Sequence, residues 1–263
     1  KKAKPSAVDL KHTISPLTHA STNAIANGRP LRVFIDPGHG GADPGAQSSD
    51  RKLIESQIAL DIAKRLAEYL SNAGFEVMLS RRDNTFTQVL EERPMKAVRW
   101  KADIFLSIHL NANASSSADG FETYVLPSHG MLSTSADNPS PSTRAQANIR
   151  ENGNANDVRN MQLGFAIQRR AVKTSRLSDR GLRRARFVVL REATMPAALI
   201  ECGFLSSSKD QKILRTADGR ERLARGIYQG VCDYAFGTLA PGHPPYPVMT
   251  SRTTPSTTTP AQQ

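Results

Sequence analysis

Two histidines and two glutamates lie at positions where a parallel sheet could gather them into one site: His39, Glu55, His109 and Glu201. Three of them come at or just after the end of a predicted strand, and Glu55 lies in the first turn of a predicted helix. Ligands of open parallel sheets bind beyond the carboxyl ends of the strands, so we expect the four side chains to converge. Two imidazoles and one carboxylate, with a coordination position left open, are typical of hydrolytic zinc sites. The other carboxylate would then be free to act as a general base.

Each of these residues also has an ordinary structural interpretation. A histidine after a strand is more often a turn or core residue than a ligand, and Glu55 is favoured by the helix dipole in any case. Glu201 is harder to explain in this way, because a carboxylate at the end of a buried strand costs free energy unless it has a partner or a function. The convergence of the four residues therefore carries more weight than any one of them.

Apolar runs and helical stripes alternate along the chain between about residues 30 and 237. Strands are predicted at 31–36, 75–80, 103–109, 121–126, 187–190 and 197–201, and helices at 53–73, 91–101, 158–174 and 218–236. This alternation predicts an α/β fold. We expect a single three-layer domain with a twisted, mostly parallel sheet of about six strands and helices on both faces.

Three segments differ in composition from the rest of this domain. Residues 1–29 are polar and lack periodicity, which is typical of an extension or linker. Residues 238–263 are rich in Pro, Thr and Ser, and such a composition buries too little apolar surface to become ordered. We therefore predict a domain at 30–237 followed by a disordered tail. A polar insertion at 127–157 interrupts the domain.

The net charge of +11 narrows the range of partners. Nucleic acid is the first interpretation of so basic a chain, but recognition helices, zinc knuckles and RNP motifs are missing from the sequence. The basic residues are scattered, apart from one cluster at Arg180, Arg183, Arg184 and Arg186. We predict no nucleic-acid partner, and an anionic polymer such as a cell wall suits the charge equally well. No run approaches the roughly 20 apolar residues that span a bilayer.

The two cysteines, Cys202 and Cys232, are separated by 30 positions, which indicates nothing about their geometry. We expect two buried thiols, with one disulfide bridge as the alternative. Because side chains alternate along a strand, Cys202 should face away from Glu201. His129 lies in a polar stretch and is expected to face solvent rather than to bind metal.

An ordered set of motifs extends over residues 31–236. It comprises Ile35-Asp36-Pro37-Gly38-His39-Gly40-Gly41 with Asp43-Pro44-Gly45-Ala46, then Glu55, Ser107-Ile108-His109-Leu110-Asn111-Ala112, Gly120-Phe121-Glu122-Thr123, Asp179-Arg180-Gly181-Leu182 with Phe187-Val188-Val189-Leu190, and Ile200-Glu201-Cys202-Gly203-Phe204-Leu205. The set resembles the zinc-dependent N-acetylmuramoyl-L-alanine amidases, the catalytic domains of the cell-separation amidases. One GHGG motif is a weak signal, whereas the ordered set is specific.

The resemblance implies that His39, Glu55 and His109 bind one zinc ion and that Glu201 is the catalytic carboxylate. It implies hydrolysis of the amide bond between N-acetylmuramic acid and L-alanine in peptidoglycan, for cell-wall remodelling or daughter-cell separation. Such a protein works in the periplasm or outside the cell, after removal of a targeting segment. Arg93 and Glu122 also fall at family-like positions. They would lie near the substrate or support the site, with a salt bridge at the strand end as the equal alternative.

The insertion at 127–157 leaves two alternatives open. Some relatives carry an insertion here that blocks the zinc until a partner protein removes it. Asp137, Glu151 and Asp157 are acidic residues that could reach the metal in such a state. The polarity of the insertion and its lack of an amphipathic stripe favour a plain mobile loop instead. An activator protein is a partner only in the first case.

Three rival functions fit part of the pattern. A non-catalytic peptidoglycan-binding module would keep the fold, but the complete set of ligands and Glu201 argue against it. A zinc peptidase acting on stem peptides would keep the chemistry, and only the resemblance decides against it. A phosphate-binding loop at 37–41 lacks the lysine and the glycine spacing of nucleotide-binding loops.

Overall fold

The computed structural model of the protein describes residues 25–26, 29–85, 89–114, 117–131, 133–134 and 153–237. The strands are β1 (Ile25–Ala26), β2 (Arg29–Pro30), β3 (Arg32–Pro37), β4 (Glu76–Leu79), β5 (Ile104–Asn111), β6 (Phe121–Val125), β7 (Asp179–Arg184) and β8 (Ala197–Phe204). The helices are α1 (Glu55–Asn72), α2 (Glu92–Arg99), α3 (Asp157–Ser175), α4 (Val188–Arg191), α5 (Ser208–Leu214) and α6 (Ala217–Phe236).

Six of the strands form one sheet, in the order β4-β3-β5-β8-β6-β7. Among the described strands of this sheet, the β6–β8 pair alone is antiparallel. The prediction of a mostly parallel sheet of about six strands is confirmed. The last strand in the sequence, β8, lies in the interior of the sheet between β5 and β6, which brings its carboxyl end next to that of β5.

Helices α1, α3 and α6 cover one face of the sheet. The α1 stripe predicted from its i, i+4 spacing, with Ile62, Leu66 and Leu70 fully buried, packs into the larger apolar cluster on this face. Helices α3 and α6 approach so closely that a Cβ added at Gly230 would lie 2.5 Å from the Cα of Ile167. Burial of these apolar surfaces supplies the main driving force for folding.

Helices α2 and α4 cover the other face, so the predicted three-layer arrangement is confirmed. Phe34 of β3 and Phe105 of β5 stack there with ring centroids 6.0 Å apart, and both are fully buried. Ala97 of α2 and Leu190 of α4 belong to the same apolar cluster.

One predicted strand is wrong. Residues 187–190 form the N-terminal boundary and first turn of the short helix α4, and Val189 and Leu190 pack into the smaller apolar cluster. A short apolar run does not by itself distinguish a strand from a buried helical turn. The sixth strand of the sheet is β7, a polar edge strand that apolar periodicity does not reveal.

The N-terminal extension predicted at 1–29 is structured where it is described. Strands β1 and β2 pair in antiparallel fashion, and Arg29 forms an ion pair with Asp103 at 2.8 Å. Residues 1–24 and the tail at 238–263 lie outside the described residues. The boundaries at 30 and 237 stay predictions.

Ion pairs join α1 to α6. Asp61 accepts hydrogen bonds from Arg65 Nε at 2.9 Å and from Arg220 Nε at 2.6 Å, and Glu221 accepts one from Arg65 Nη1 at 2.6 Å. Burial tends to raise the pKa of Asp61, but the two arginines outweigh it and lower this pKa overall. Within the described part of the chain, no helix combines the length and apolar character needed to cross a membrane.

Candidate metal centre

His39 lies in the turn after β3, and the backbone of this turn has positive φ angles at His39 and at the two glycines that follow it. His39 has φ 59°, and Gly40 and Gly41 follow with φ 122° and 62°. Glycine adopts such backbone angles without the steric cost that other residues incur. The backbone N–H of Gly38 donates to the carbonyl of Ile108 at 2.8 Å, which fixes the turn to β5. His39 therefore projects over the carboxyl end of the sheet.

Glu55 is the first residue of α1, and its buried carboxylate is held from several sides. Its Oε2 accepts a hydrogen bond from the backbone N–H of Ala46 at 2.8 Å, and its Oε1 accepts one from that of Leu110 at 3.0 Å. The β5–β8 pairing shifts register between His109 and Asn111, so the N–H of Leu110 is available to the carboxylate. The side chain is 4% exposed.

The structure brings His39, Glu55 and His109 together. Glu55 Oε1 lies 3.1 Å from His39 Nε2 and 3.0 Å from His109 Nδ1. The two imidazole rings meet edge to face with centroids 5.1 Å apart. One ligand atom from each residue lies within 4.8 Å of the other two, so the three could hold one metal ion.

The packing around these residues fits a compact ion-binding cradle. A Cβ at Gly38 would lie 2.3 Å from His109 Cε1, and a Cβ at Gly45 would lie 2.6 Å from Glu55 Oε2. Only a residue without a side chain leaves the ligands room at both positions. A His2Glu set with one open position is the donor set of hydrolytic zinc sites, so the residues present fit zinc.

The electrostatics of the cluster favour an ionised carboxylate. Burial by itself raises the pKa of Glu55, but hydrogen bonds and charge from His109 and His39 outweigh this and lower the pKa. Burial lowers the pKa of His39, whereas Glu55 and Asp43 raise it, with a net rise.

Asp43 fixes the orientation of the His39 ring. Its Oδ2 lies 2.7 Å from His39 Nδ1, and its Oδ1 accepts the backbone N–H of Gly45 at 3.0 Å. A carboxylate that accepts a hydrogen bond from the N–H of one ring nitrogen fixes the tautomer and leaves the other nitrogen free to bind a metal. The sequence analysis quoted Asp43 as part of a motif without giving it this role.

Arg93 and Arg81 hold the backbone of the His39 turn. Arg93, 5% exposed, forms an ion pair with Asp36 at 3.0 Å and donates to the carbonyls of Pro37 at 3.0 Å and His39 at 2.9 Å. Arg81 donates to the carbonyls of Pro37 at 3.0 Å and of Gly38 at 2.7 Å. Arg93 thus forms a salt bridge and also supports the turn that carries His39, so both alternatives predicted for it stay open.

The sequence analysis missed Arg81. It is 6% exposed, and burial together with the charge of Arg93 lowers its pKa to about 10. Its only sequence signal is its place just after the predicted second strand, on the same edge as the histidines. Because its partners are mostly backbone carbonyls, no residue type elsewhere in the sequence indicates them.

Glu201 lies beside the three candidate ligands. In the sheet it pairs with His109 on β5 and with Glu122 on β6, so the three side chains share one face. Its Oε2 is buried and accepts no hydrogen bond from any described residue. Burial, followed by the negative charges of Glu55 and Glu122, raises the pKa of Glu201 well above its ordinary value. Such a carboxylate is typical of a functional site.

Glu122 is a buried carboxylate with a full set of partners. Its Oε1 accepts from Asn111 Nδ2 at 2.7 Å and from the Tyr124 hydroxyl at 2.9 Å. Its Oε2 accepts from Arg180 Nε at 2.8 Å and lies 3.1 Å from Arg183 Nε. Glu122 therefore forms salt bridges next to Glu201, and its predicted role near the substrate stays a prediction.

The other candidates lie apart from the cluster. His129 is exposed in a turn, and Cys202 is fully buried in the apolar cluster on the opposite face from Glu201. Both cysteines are free thiols. Of the acidic residues in the insertion, Asp157 begins α3 and pairs with Arg184 at 2.9 Å. Asp137 and Glu151 lie outside the described residues.

The comparisons with known proteins identify the family. A family model described as N-acetylmuramoyl-L-alanine amidase matches residues 33–233. The chain belongs to the N-acetylmuramoyl-L-alanine amidase family. The resemblance seen in the sequence motifs is thereby confirmed, and the matched range lies within the domain predicted at 30–237.

Individual relatives of this amidase-family chain support the assignment. It is 37% identical over 202 residues to N-acetylmuramoyl-L-alanine amidase LytC of Bacillus subtilis, a match that covers 77% of this chain and 35% of LytC. A crystal structure of an N-acetylmuramoyl-L-alanine amidase from Clostridium difficile 630 has a TM-score of 0.65 at 35% identity, covering 78% of this chain and 97% of that one. The CwlD amidase from Clostridioides difficile, solved in complex with the GerS lipoprotein, has a TM-score of 0.62 at 26% identity, covering 78% and 98%.

The match is confined to part of several longer relatives. Matches to three curated amidases cover between 35% and 67% of the lengths of those proteins. The chain therefore corresponds to only part of each of these proteins.

Proposed function

We propose that this domain hydrolyses the amide bond between N-acetylmuramic acid and L-alanine in peptidoglycan, with one zinc ion held by His39, Glu55 and His109. The observation that carries the proposal is the position of this three-residue cluster beside Glu201, whose buried Oε2 has no hydrogen-bond partner among the described residues. Membership of the amidase family supports the choice of bond.

The residues of the chain divide the work of hydrolysis. Bound zinc would supply a Lewis acid that activates water and polarises the scissile carbonyl. Glu201 accepts the proton of the attacking water and returns it to the departing amine. Asp43 keeps His39 in the tautomer whose Nε2 faces Glu55.

Digestion of purified peptidoglycan tests this proposal. The wild-type protein should release stem peptides that begin with a free L-alanine amine, detected by mass spectrometry, and a chelator should abolish the release. Glu201→Gln should keep its zinc but lose at least about a hundredfold in rate, because a general base contributes roughly 10²–10⁴-fold. Glu192→Gln, which removes an exposed carboxylate, is the matched control and should keep full activity.

The rival functions give other results in the same digestion. Peptides that have lost L-alanine to the sugar fraction would identify a stem-peptide peptidase. Binding without release of any peptide would identify a non-catalytic wall-binding module. Full activity of Glu201→Gln would contradict the role given to that carboxylate.

We also propose that the domain works where its substrate lies, in the periplasm or outside the cell, and that the 127–157 insertion restricts access to the site until an activator protein binds. The described ends of the insertion attach to the strand that supports Glu122: Thr134 N–H donates to the Arg184 carbonyl at 2.7 Å, and Asp157 pairs with the Arg184 side chain. The CwlD amidase, a structural neighbour, was solved in complex with the GerS lipoprotein, which supports the idea of a protein partner. Deletion of residues 135–152 should raise the basal rate, and an unchanged rate would refute the block.

A further inference from the structure

Glu122 holds two arginines beside Glu201. Its Oε2 lies 2.8 Å from Arg180 Nε and 3.1 Å from Arg183 Nε. Two guanidinium groups on one carboxylate leave one positive charge that Glu122 does not balance. Burial of this carboxylate, which is 1% exposed, strengthens its hold on both cations because solvent screens the attraction only weakly.

The two arginines differ in the number of hydrogen bonds that their guanidinium groups donate. Arg180 donates from Nε to Glu122, and its guanidinium lies over the ring of Phe204, 4.8 Å from the centroid. Arg183 Nε is buried and lies near the same carboxylate oxygen, but without the geometry of a hydrogen bond. Among the described residues, the side chain of Arg183 makes no other polar contact. A guanidinium has five N–H donors, so its fork is available to an anion.

The sheet places Arg183 on the same face as the candidate catalytic residues. Arg183 on β7 pairs with Tyr124 on β6, and Tyr124 lies two residues from Glu122, which pairs with Glu201. Residues opposite one another in a sheet, and residues two apart in a strand, point to the same side. The side chain of Arg183 is 28% exposed, so a ligand that lies across Glu201 can reach it.

Strand spacing gives the distance over which such a ligand must extend. Arg183 is level with Tyr124 and Leu199, so two strand separations and two residues along the strand lie between it and Glu201. The two Cα atoms are therefore about 12 Å apart. An extended peptide advances roughly 3.5 Å per residue. With the scissile bond at Glu201, an anionic group near the second residue of the peptide comes within reach of the long Arg183 side chain.

We propose that Arg183 binds a carboxylate of the stem peptide at its second residue, with Arg180 and Glu122 as the fixed support of this subsite. The inference rests on the proposed function, because it assumes that the stem peptide extends from Glu201. A guanidinium fork matches a carboxylate through two parallel hydrogen bonds and gains little from a neutral carboxamide. The substrate selected is therefore a stem peptide whose second residue keeps its free carboxylate.

A pair of synthetic muropeptides that differ only in this group tests the subsite. One carries the free carboxylate at the second residue, and the other carries the carboxamide. The wild type should cleave the acid about tenfold to a hundredfold more efficiently in kcat/KM, as expected for a charge-assisted bidentate contact. Arg183→Gln should lower this ratio to about one by losing activity on the acid, and Arg183→Lys should restore part of it.

The exposed residue Arg191 gives a matched control, since Arg191→Gln removes the same charge from a side chain that is 50% exposed. This variant should keep the wild-type ratio. If Arg183→Gln lowered kcat/KM equally on both muropeptides, the proposal would be overturned, and Arg183 would only support Glu122. Equal cleavage of the two muropeptides by the wild type would overturn this inference alone. Cleavage of neither would refute the proposed function and this inference together.

Discussion

Gly38→Ala should dismantle the metal centre while leaving most of the fold in place. The new Cβ would lie 2.3 Å from His109 Cε1 and 2.5 Å from both ring nitrogens. Carbon atoms in contact lie about 3.5 Å apart or more, so the ring must move by roughly 1.2 Å. A functional site tolerates displacements of about 0.5 Å. The displaced ring therefore no longer shares an ion with Glu55.

The expected losses follow from the displacement of one of three ligands. Removal of a group that merely supports a ligand lowers metal affinity about 10–100-fold, so displacement of the ligand His109 itself should exceed about 100-fold. Overpacking at one position costs about 1–3 kcal/mol in free energy of unfolding. Zinc affinity is measured by competition with a chromophoric chelator, and stability by denaturant unfolding of the metal-free protein.

Gly130→Ala separates the metal effect from backbone strain. Gly130 has φ 73°, and a Cβ there meets nothing within 4 Å. This control should lose about 1–2 kcal/mol through its left-handed conformation while it keeps its zinc. If Gly38→Ala bound zinc within twofold of the wild type, the ring of His109 would not be the ligand that the clash displaces.

Three further changes probe the support of the site and the fold around it. Asp43→Asn should lower zinc affinity about 10–100-fold, because the amide no longer holds His39 in place with a charge; unchanged affinity in the chelator competition would contradict this. Arg93→Gln should cost about 3 kcal/mol in denaturant unfolding, because it leaves the carboxylate of Asp36 buried without its cation, and a cost below about 1 kcal/mol would refute the ion pair as a main support. Asp61→Asn should destabilise the metal-free protein at pH 7 but much less near pH 3. The lowered pKa of Asp61 gives a stabilisation that is present above the ordinary aspartate pKa of about 3.9 and is lost as the pH falls through the folded value. A difference in Tm between variant and wild type that stayed constant over this range would exclude it.

The sequence predicts those helices and strands whose apolar residues recur with a regular period. The α1 stripe and the buried strands β3, β5 and β8 are such cases. Strand β7 is not, because an edge strand needs no apolar face and four of the six residues of this one are charged. The apolar residues at 187–190 predict a strand wrongly, because a single buried helical turn has the same composition.

In the candidate site, too, some residues can be predicted from the sequence and others cannot. His39, Glu55, His109 and Glu201 are recognisable because their residue types suit the chemistry and because strand ends gather at one edge. The partners of Glu122 and Arg93 depend on which strands become neighbours. The antiparallel insertion of β6 beside β8 brings Glu122 next to Glu201, and no local pattern in the sequence specifies that order.

The interior position of β8 has a consequence for a chain that is still being synthesised. Until residues 197–204 leave the ribosome, β5 and β6 lack their common neighbour and expose unpaired edges. A nascent chain of that length already holds His39, His109 and Glu55, but it lacks Glu201, the carboxylate proposed to transfer protons. On the proposed mechanism, a product truncated before β8 would keep the metal ligands and be unable to cleave the amide bond. The proposed activity therefore depends on a strand that is synthesised late, the one that completes the sheet.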